Sequence, residues 1–465
     1  MTDSTDHALS ALLAPISLGE FESEYWEKRA LHIRRPMPEA YEKLLRGRDL
    51  PLLSRRLQLA GMHAQAFFNR EPVDPSELLR DFFEGASIVL NRIDKLWLPL
   101  GELCASLRER LHHVFAVMYW TPRGSQAVRA HTDDQDVFIM QLSGCKHWSV
   151  YDVPEGHPAL PYSHEQLGKS ADKPLTPEML GKPRLELELR AGDLLYLPRG
   201  MPHEARADPG CSSLHVTLTV QTSDMTWASL LLDGMQELHR VHEPFRHALP
   251  TPMPEADVEG VDADGGQPGG GSQAGTEAEV EARTSARAEA RAKAEAQFAR
   301  LMQYSTANAD WVYAKAVQLL HERLGRHNGD QDRAITRLRA QRPLAVPHHE
   351  QLRIADTMEV VLPELPAQPA QPLPPGFRLR VLFHRREGGG EYSSMELGVP
   401  PGMLPALRFI AAERPAFGAH ELPELDPCEQ HALVARLLQV GVLEVINARG
   451  PDGFDRLNMG EERAQ

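Results

Sequence analysis

Cysteine is scarce in this 465-residue chain: only Cys104, Cys145, Cys211 and Cys428 occur. None stands in a C-x-x-C or other zinc-finger spacing, so neither a disulfide framework nor a zinc finger is implied. Aromatic residues make up 6% of the chain. No apolar run approaches the roughly 20 residues of a membrane span, which argues against membrane insertion. The first residues, Met-Thr-Asp-Ser-Thr-Asp, lack the basic-then-apolar order of a secretory signal. A reducing, cytoplasmic setting is the expectation. An excess of positive charge is also missing. The net charge of -15 argues against nucleic-acid binding over the whole surface and suits a basic polypeptide partner.

What is present is ordinary for a globular chain, with 42% hydrophobic and 25% charged residues. The length allows two or three domains. The chemistry concentrates in His131-Thr132-Asp133, Lys146 and His203. Two imidazoles and one carboxylate are the usual protein ligands of a non-haem Fe(II) centre with open positions. On a strand, residues two apart point to the same side, so a strand is expected to present His131 and Asp133 together. His203 is expected from a strand distant in sequence but adjacent in space. Lys146 supplies a point charge with three donors, suited to a carboxylate. The pairs His112-His113 and His348-His349 have no matching carboxylate and read as structural or surface residues.

The flanking sequence reads as short strands. Asp136 to Leu142 is rich in strand formers, Ser143-Gly144 reads as a turn, and Lys146 to Asp152 returns as a second strand. Leu185–Arg190 alternates, Ala191-Gly192-Asp193 turns, Leu194–Leu197 is apolar, and Leu214–Val220 alternates again. Asp134 and Asp136 are expected to point outward or to support the ligands from behind, and Trp148 to be core. Strands of this length, with no helical period between them, suggest a small barrel or double-sheet jelly roll.

Four stretches go further: Glu24 to Ile33; Tyr119 to Gln126 with His131 to Asp134; Phe138 to Trp148; and Gly192-Asp-Leu-Leu-Tyr-Leu-Pro-Arg-Gly-Met-Pro-His203 with His215-Val-Thr-Leu-Thr219. Over roughly residues 15–225 they resemble the JmjC class of the cupin superfamily, the Fe(II)- and 2-oxoglutarate-dependent oxygenases, and within it the ribosomal oxygenases. The resemblance implies His131, Asp133 and His203 as iron ligands. It implies Lys146 as the partner of the distal 2-oxoglutarate carboxylate, and Tyr119, Thr219 and His215 as further cosubstrate-pocket residues. It implies Fe(II), 2-oxoglutarate and O2 as cofactor and cosubstrates, a ribosomal protein as substrate, and a homodimer. Val117 departs from the pattern, since eukaryotic members usually carry Asn there.

The expected fold class is therefore α+β. A double-stranded β-helix (cupin, jelly-roll) catalytic domain with N-terminal wrapping elements spans 1–225. A helical dimerisation region spans 226–335 and contains a flexible Pro-, Gly- and Ala-rich insertion at about 250–276. A winged-helix-like domain spans 340–465, entered through the proline-rich connector 363–375. Asp426-Pro427 is a helix start. The helix that follows has Arg436 as its only Lys or Arg, so the domain reads as a scaffold or protein-interaction module rather than a DNA reader. The expected activity is hydroxylation of an Arg or His of a ribosomal protein. The alternatives are the same chemistry on a small molecule or a methylated lysine, and a non-enzymatic metal-binding scaffold.

Overall fold

The computed structural model describes residues 7–68, 70–74, 78–170, 172–222, 225–248, 277–341, 352–355, 358–362, 379–386, 392–412 and 416–445. The insertion at 250–276, the connector 363–375 and His348-His349 lie outside them. The described chain divides into two compact units, Met1–Ser223 with His327–Gln465, and Asp224–Arg326.

The first unit is built on β1 (Leu31–Ile33), β2 (Gln65–Phe68), β3 (Glu71–Val73), β4 (Ser87–Asn91), β5 (Val114–Thr121), β6 (Asp136–Val150), β7 (Leu185–Arg190), β8 (Leu194–Leu197), β9 (His203–Ala207) and β10 (Ser213–Val220). Their order is β1-β8-β6-β10-β5-β4-β2-β3, with β7 and β9 paired to β6. Every pairing is antiparallel. The long strand β6 organises the two sheets. Its first part lies between β8 and β10, and its second part between β7 and β9.

This corrects the turn expected at Ser143-Gly144, where the chain bends but stays in the sheet. Gly144 has φ +65°, and a Cβ there would lie 1.7 Å from the Ser212 carbonyl oxygen. The register slips opposite it, between Leu214 and His215. A positive φ and a close backbone approach both call for glycine, and both look like a turn in sequence. Gly144→Ala is expected to lower the unfolding free energy by more than about 1 kcal/mol, read as a lower denaturant midpoint at unchanged slope.

Burial on both faces explains the near-continuous apolar runs. Phe138 and Met140 of β6 join a large core with Phe21, Trp120 and Tyr196, while Val137 and Ile139 face an inner cluster with Trp148, Leu187, Leu195 and Leu197. Along β10, Leu214, Val216 and Leu218 enter the outer core. The intervening His215, Thr217 and Thr219 are also buried. A buried polar face on a fully buried strand needs partners.

The N-terminal segment wraps the barrel. Ser17 caps a short helix, which Phe21–Tyr25 continues as a π-turn. Trp26 stacks on Tyr196, whose hydroxyl accepts the Glu27 N–H at 2.9 Å and donates to Asp136 at 2.8 Å. Arg199 pairs with Asp136 at 2.9 Å and also with Glu27. Thr222 donates to the same Asp136 carboxylate at 2.8 Å. Asp136 is thus fully buried, and Asp134 is 3% exposed. Neither points outward, because each has found a hydrogen-bonded partner set inside.

In the C-terminal part of this unit, helices Leu404–Ala411 and Pro427–Gln439 stand with the strand pair Leu352–Ile354 and Leu443–Val445 and a three-stranded antiparallel sheet. Asp426 caps the second helix reciprocally with Glu429, and also accepts the Ser212 N–H at 2.9 Å. Arg123 holds Glu429 at 2.5 Å.

The second unit is helical, with Trp227–Val241, Glu277–Ala307 and the first part of Ala309–Ala340. Gly234 gives Val312 a close approach, and Arg323 pairs with Asp233.

Candidate metal centre

His131 and Asp133 do not lie on a regular strand, contrary to expectation. His131 forms an isolated antiparallel bridge directly with His203, N–H to carbonyl at 3.1 and 3.0 Å in the two directions. Asp133 follows in irregular chain, its carbonyl accepting the Gly200 N–H at 2.8 Å. The Pro198-to-Pro202 turn therefore braces both neighbours of the site. The β6–β7 connection clamps the other side. Thr132 and Leu167 exchange bonds at 3.0 and 2.9 Å, and Asp134 accepts from Ser163 at 2.5 Å and from Gln166.

The ligand atoms of His131, Asp133 and His203 lie within 4.8 Å of one another. The two imidazole Nε2 atoms stand 3.8 and 3.6 Å from the Asp133 carboxylate. Both Nδ1 atoms face backbone carbonyls, His131 to Arg129 at 2.8 Å and His203 to Met201 at 3.0 Å. A carbonyl can only accept, so each Nδ1 donates and each Nε2 is left facing Asp133. This is the outer-shell device that orients metal-bound histidines. Burial, followed by His203, lowers His131 to about 4. Burial alone would raise Asp133, but Lys169 at 2.5 Å and the two histidines hold it well below the usual carboxylate range. The donor set fits a divalent cation of the facial-triad type.

These residues line one cavity of about 480 Å³, including its open mouth, together with Tyr119, Val137, Ile139, Lys146, Trp148, His215 and Thr217. Lys146 is 3% exposed. Its Nζ donates to Thr121 Oγ1 at 3.3 Å and lies 5.9 and 6.0 Å from the Tyr119 and Trp148 ring centres. Burial lowers it to about 7. His215 stacks on Tyr119 at 4.7 Å, and burial followed by Lys146 pushes it well below its ordinary value. Among the described residues, its Nδ1 and the Trp148 Nε1 are buried without a hydrogen-bond partner. A buried ammonium with a single hydroxyl contact and two orphaned polar atoms nearby is a prepared place for a polar, anionic ligand.

The structure brings His131, Asp133, His203, Lys146, Tyr119 and His215 together. Thr219 shares their face of β10 but does not line the cavity, where Thr217 stands instead. Sequence reasoning missed Thr121, Thr217 and Lys169. Thr121 follows Tyr119 by two and Thr217 follows His215 by two, so strand periodicity was the available signal for both. Lys169 had none.

Residues 90–227 match the JmjC domain family. The chain is 32% identical over 245 residues to the bifunctional lysine-specific demethylase and histidyl-hydroxylase NO66 of Drosophila erecta, covering 50% of this chain and 36% of that protein. It is 30% identical over 257 residues to Ribosomal oxygenase 2 of Mus musculus, covering 50% of this chain and 51% of that one. It thus spans about a third to a half of the length of these curated relatives. A solved Escherichia coli structure of the ribosomal oxygenase YcfD with cobalt and 2-oxoglutarate aligns over 92% of this chain and 98% of that one, at 15% identity and a TM-score of 0.33.

Proposed function

From the premise that residues 90–227 are a JmjC domain, we propose that this chain is an Fe(II)- and 2-oxoglutarate-dependent oxygenase acting on an Arg or His side chain of a ribosomal protein. The observation that carries the reading is the pairing, in one cavity, of the His131, Asp133, His203 triad with the buried Lys146 cation. When bound, Fe(II) would supply O2 activation coupled to conversion of 2-oxoglutarate to succinate and CO2, with one oxygen atom going to a substrate C–H bond. The triad would hold the metal. Lys146 binds the distal carboxylate of the cosubstrate, Tyr119 and Thr121 offer hydroxyls beside it, and His215 and Trp148 offer the unfilled ring nitrogens. Thr219 supports the wall from further along β10. Val137, Ile139 and Trp148 keep the inner end apolar.

Charge supports this substrate class. A net charge of -15 favours a basic polypeptide, and Glu204 stands in the cavity lining. The name of the NO66 relative joins demethylase to histidyl-hydroxylase, so methyl-lysine peptides form the second arm of the test. Among the described residues no helix is long and apolar enough to cross a membrane. The helical region after residue 226 is read as a dimerisation element, with Trp227 and Leu231, one turn apart, 79% and 62% exposed. The C-terminal part is read as a winged-helix-like scaffold. Arg436 is the only Lys or Arg in its helix Pro427–Gln439, which does not suit nucleic acid.

The test is anaerobic addition of Fe(II) and 2-oxoglutarate, followed by their charge-transfer band, and then succinate release with ribosomal-protein fragments. A band together with fragment-dependent succinate supports the reading. Absence of the band in folded protein sinks it. Succinate release with methyl-lysine peptides alone would transfer the proposal to demethylation.

Lys146→Met is expected to weaken 2-oxoglutarate binding by roughly 100-fold at pH 7, since losing one partner of a buried charge pair costs about 3 kcal/mol. The wild type carries a second signature. With Lys146 at about 7 in the free protein, binding the dianion above that pH requires proton uptake, because the ammonium is the binding form. Affinity therefore falls as pH rises through 7 and is level below it on this group's account. Titration calorimetry in buffers of different ionisation enthalpy reads the uptake, which the methionine variant should lack.

A further inference from the structure

The outer face of β6 carries a second group of metal-ligating side chains. Strand alternation sends Lys146 and Trp148 to the cavity and Cys145 and His147 to the opposite face. Cys145 and Cys211, which are 66 residues apart, bring their Sγ atoms to 3.3 Å. The Asp208 carboxylate completes a set in which all three ligand atoms lie within 4.8 Å of one another. Asp208 also belongs to a second such set with His147 and Glu188. His147 Nε2 is 2.9 Å from Asp208 Oδ2.

The backbone holds these groups in place. Cys145 pairs with Arg190 and His147 with Glu188 across β6 and β7. Asp208, in the β9–β10 turn, gives its N–H to the Cys145 carbonyl at 3.3 Å and accepts the Gly210 N–H at 2.7 Å. Cys145 is 8% exposed, while His147 and Asp208 reach solvent.

We propose that Cys145, Cys211 and Asp208 form a second metal site for a divalent cation of the Zn(II) class, with His147 steadying the Asp208 carboxylate from 2.9 Å. Two thiolates and a carboxylate supply three positions of a tetrahedral site and leave the fourth open to water, with sulfur for selectivity over harder ions. The sulfur separation supports it. Zn–S bonds of about 2.3 Å place two thiolates of a tetrahedron roughly 3.8 Å apart, against about 2.05 Å in a disulfide. The observed 3.3 Å is nearer the first. Charge agrees as well, since Glu188 and Asp208 place carboxylates beside the thiols. Arg190 is bound to Glu188 at 2.9 Å and is exposed, and Arg206 lies opposite His147 on β9. A divalent ion would displace the two thiol protons to buffer, so that its charge replaces theirs and the group keeps the single negative charge of Asp208. Chain segments on β6 and in the β9–β10 turn would then be cross-linked beside Lys146.

The experiment uses the reduced, metal-stripped full chain titrated with Co(II). A thiolate-to-cobalt charge-transfer band with tetrahedral visible bands is expected in the wild type and in His131→Ala. The triad contains no sulfur and cannot produce that band. Cys211→Ser should lose it. Asp208→Asn should keep both thiols and weaken binding at least tenfold, which guards against a serine variant that fails to fold. No thiolate band in folded, reduced wild type overturns the proposal, as does a band unchanged by Cys211→Ser. A Cys145–Cys211 disulfide formed in air, with no band after re-reduction, also overturns it and makes the pair a redox couple.

Discussion

Replacing His131 with alanine is expected to abolish 2-oxoglutarate-coupled turnover. The loss should exceed the roughly 10–100-fold caused by changes behind the ligands of such sites. His131 contributes more than a nitrogen. Its backbone exchanges two hydrogen bonds with His203, and its Nδ1 is tied to the Arg129 carbonyl. The alanine variant keeps the backbone bridge and loses the ligand. Its thermal midpoint should therefore stay near wild type while metal content and the Fe(II)–2-oxoglutarate band disappear. His203→Ala should behave the same way, because the two rings would hold one cation from opposite members of the bridge. If either variant retained wild-type turnover at wild-type metal occupancy, the triad would not be the catalytic centre. Such a result would leave the proposal for the sulfur-containing site untouched, since its spectroscopic readout is independent of turnover.

Asp136→Ala is expected to be the most destabilising single change outside the apolar core. The carboxylate is fully buried and gathers Arg199, the Tyr196 hydroxyl and the Thr222 hydroxyl. Removing it strands the Arg199 guanidinium, 6% exposed, with Glu27 as its remaining carboxylate. Breaking one partner out of a buried pair costs about 3–5 kcal/mol. Equilibrium denaturation should show a loss of that order, with the N-terminal segment through Trp26 and Glu27 gaining protease sensitivity, because the same network anchors it. Substituting Arg199 and Asp136 together with matched apolar residues should recover much of the loss. A double variant no better than the single one would mean that the network acts through geometry rather than through an uncompensated charge.

Much of the site was legible because its chemistry is written locally. His131 and Asp133 stand two apart, His203 ends a Gly-Asp-to-His stretch, and Lys146 follows in a strand-forming run. Each needs only its neighbours in sequence to be suspected. The helix starting at Asp426-Pro427 was legible for the same reason, since a cap is a contact between adjacent residues. The failures have a common cause. Gly144 looked like a hairpin turn because a glycine at positive φ has one sequence signature whether the chain reverses or merely bends. The strand expected under His131 and Asp133 is irregular chain because the bridge to His203 and the Gly200 contact align the ligands without a ladder. For Asp134 and Asp136 the sequence left open an outward or a supporting place, and burial decided against the first through Ser163, Gln166, Tyr196, Arg199 and Thr222, which lie far along the chain.

Residue identity by itself determined which atoms are able to bind a metal and a dicarboxylate, since ligand chemistry belongs to the side chain and not to its surroundings. It also determined the antiparallel, strand-rich character of the first unit, through short apolar runs and tight turns. Only the tertiary structure decided which hydroxyls stand beside Lys146, why Lys146 lies near neutrality, and that Cys145 meets Cys211. These are properties of distance and burial. They arise when β6 bends at Gly144 and is paired by β10 along its first part and by β7 and β9 along its second, which no local pattern of residues encodes.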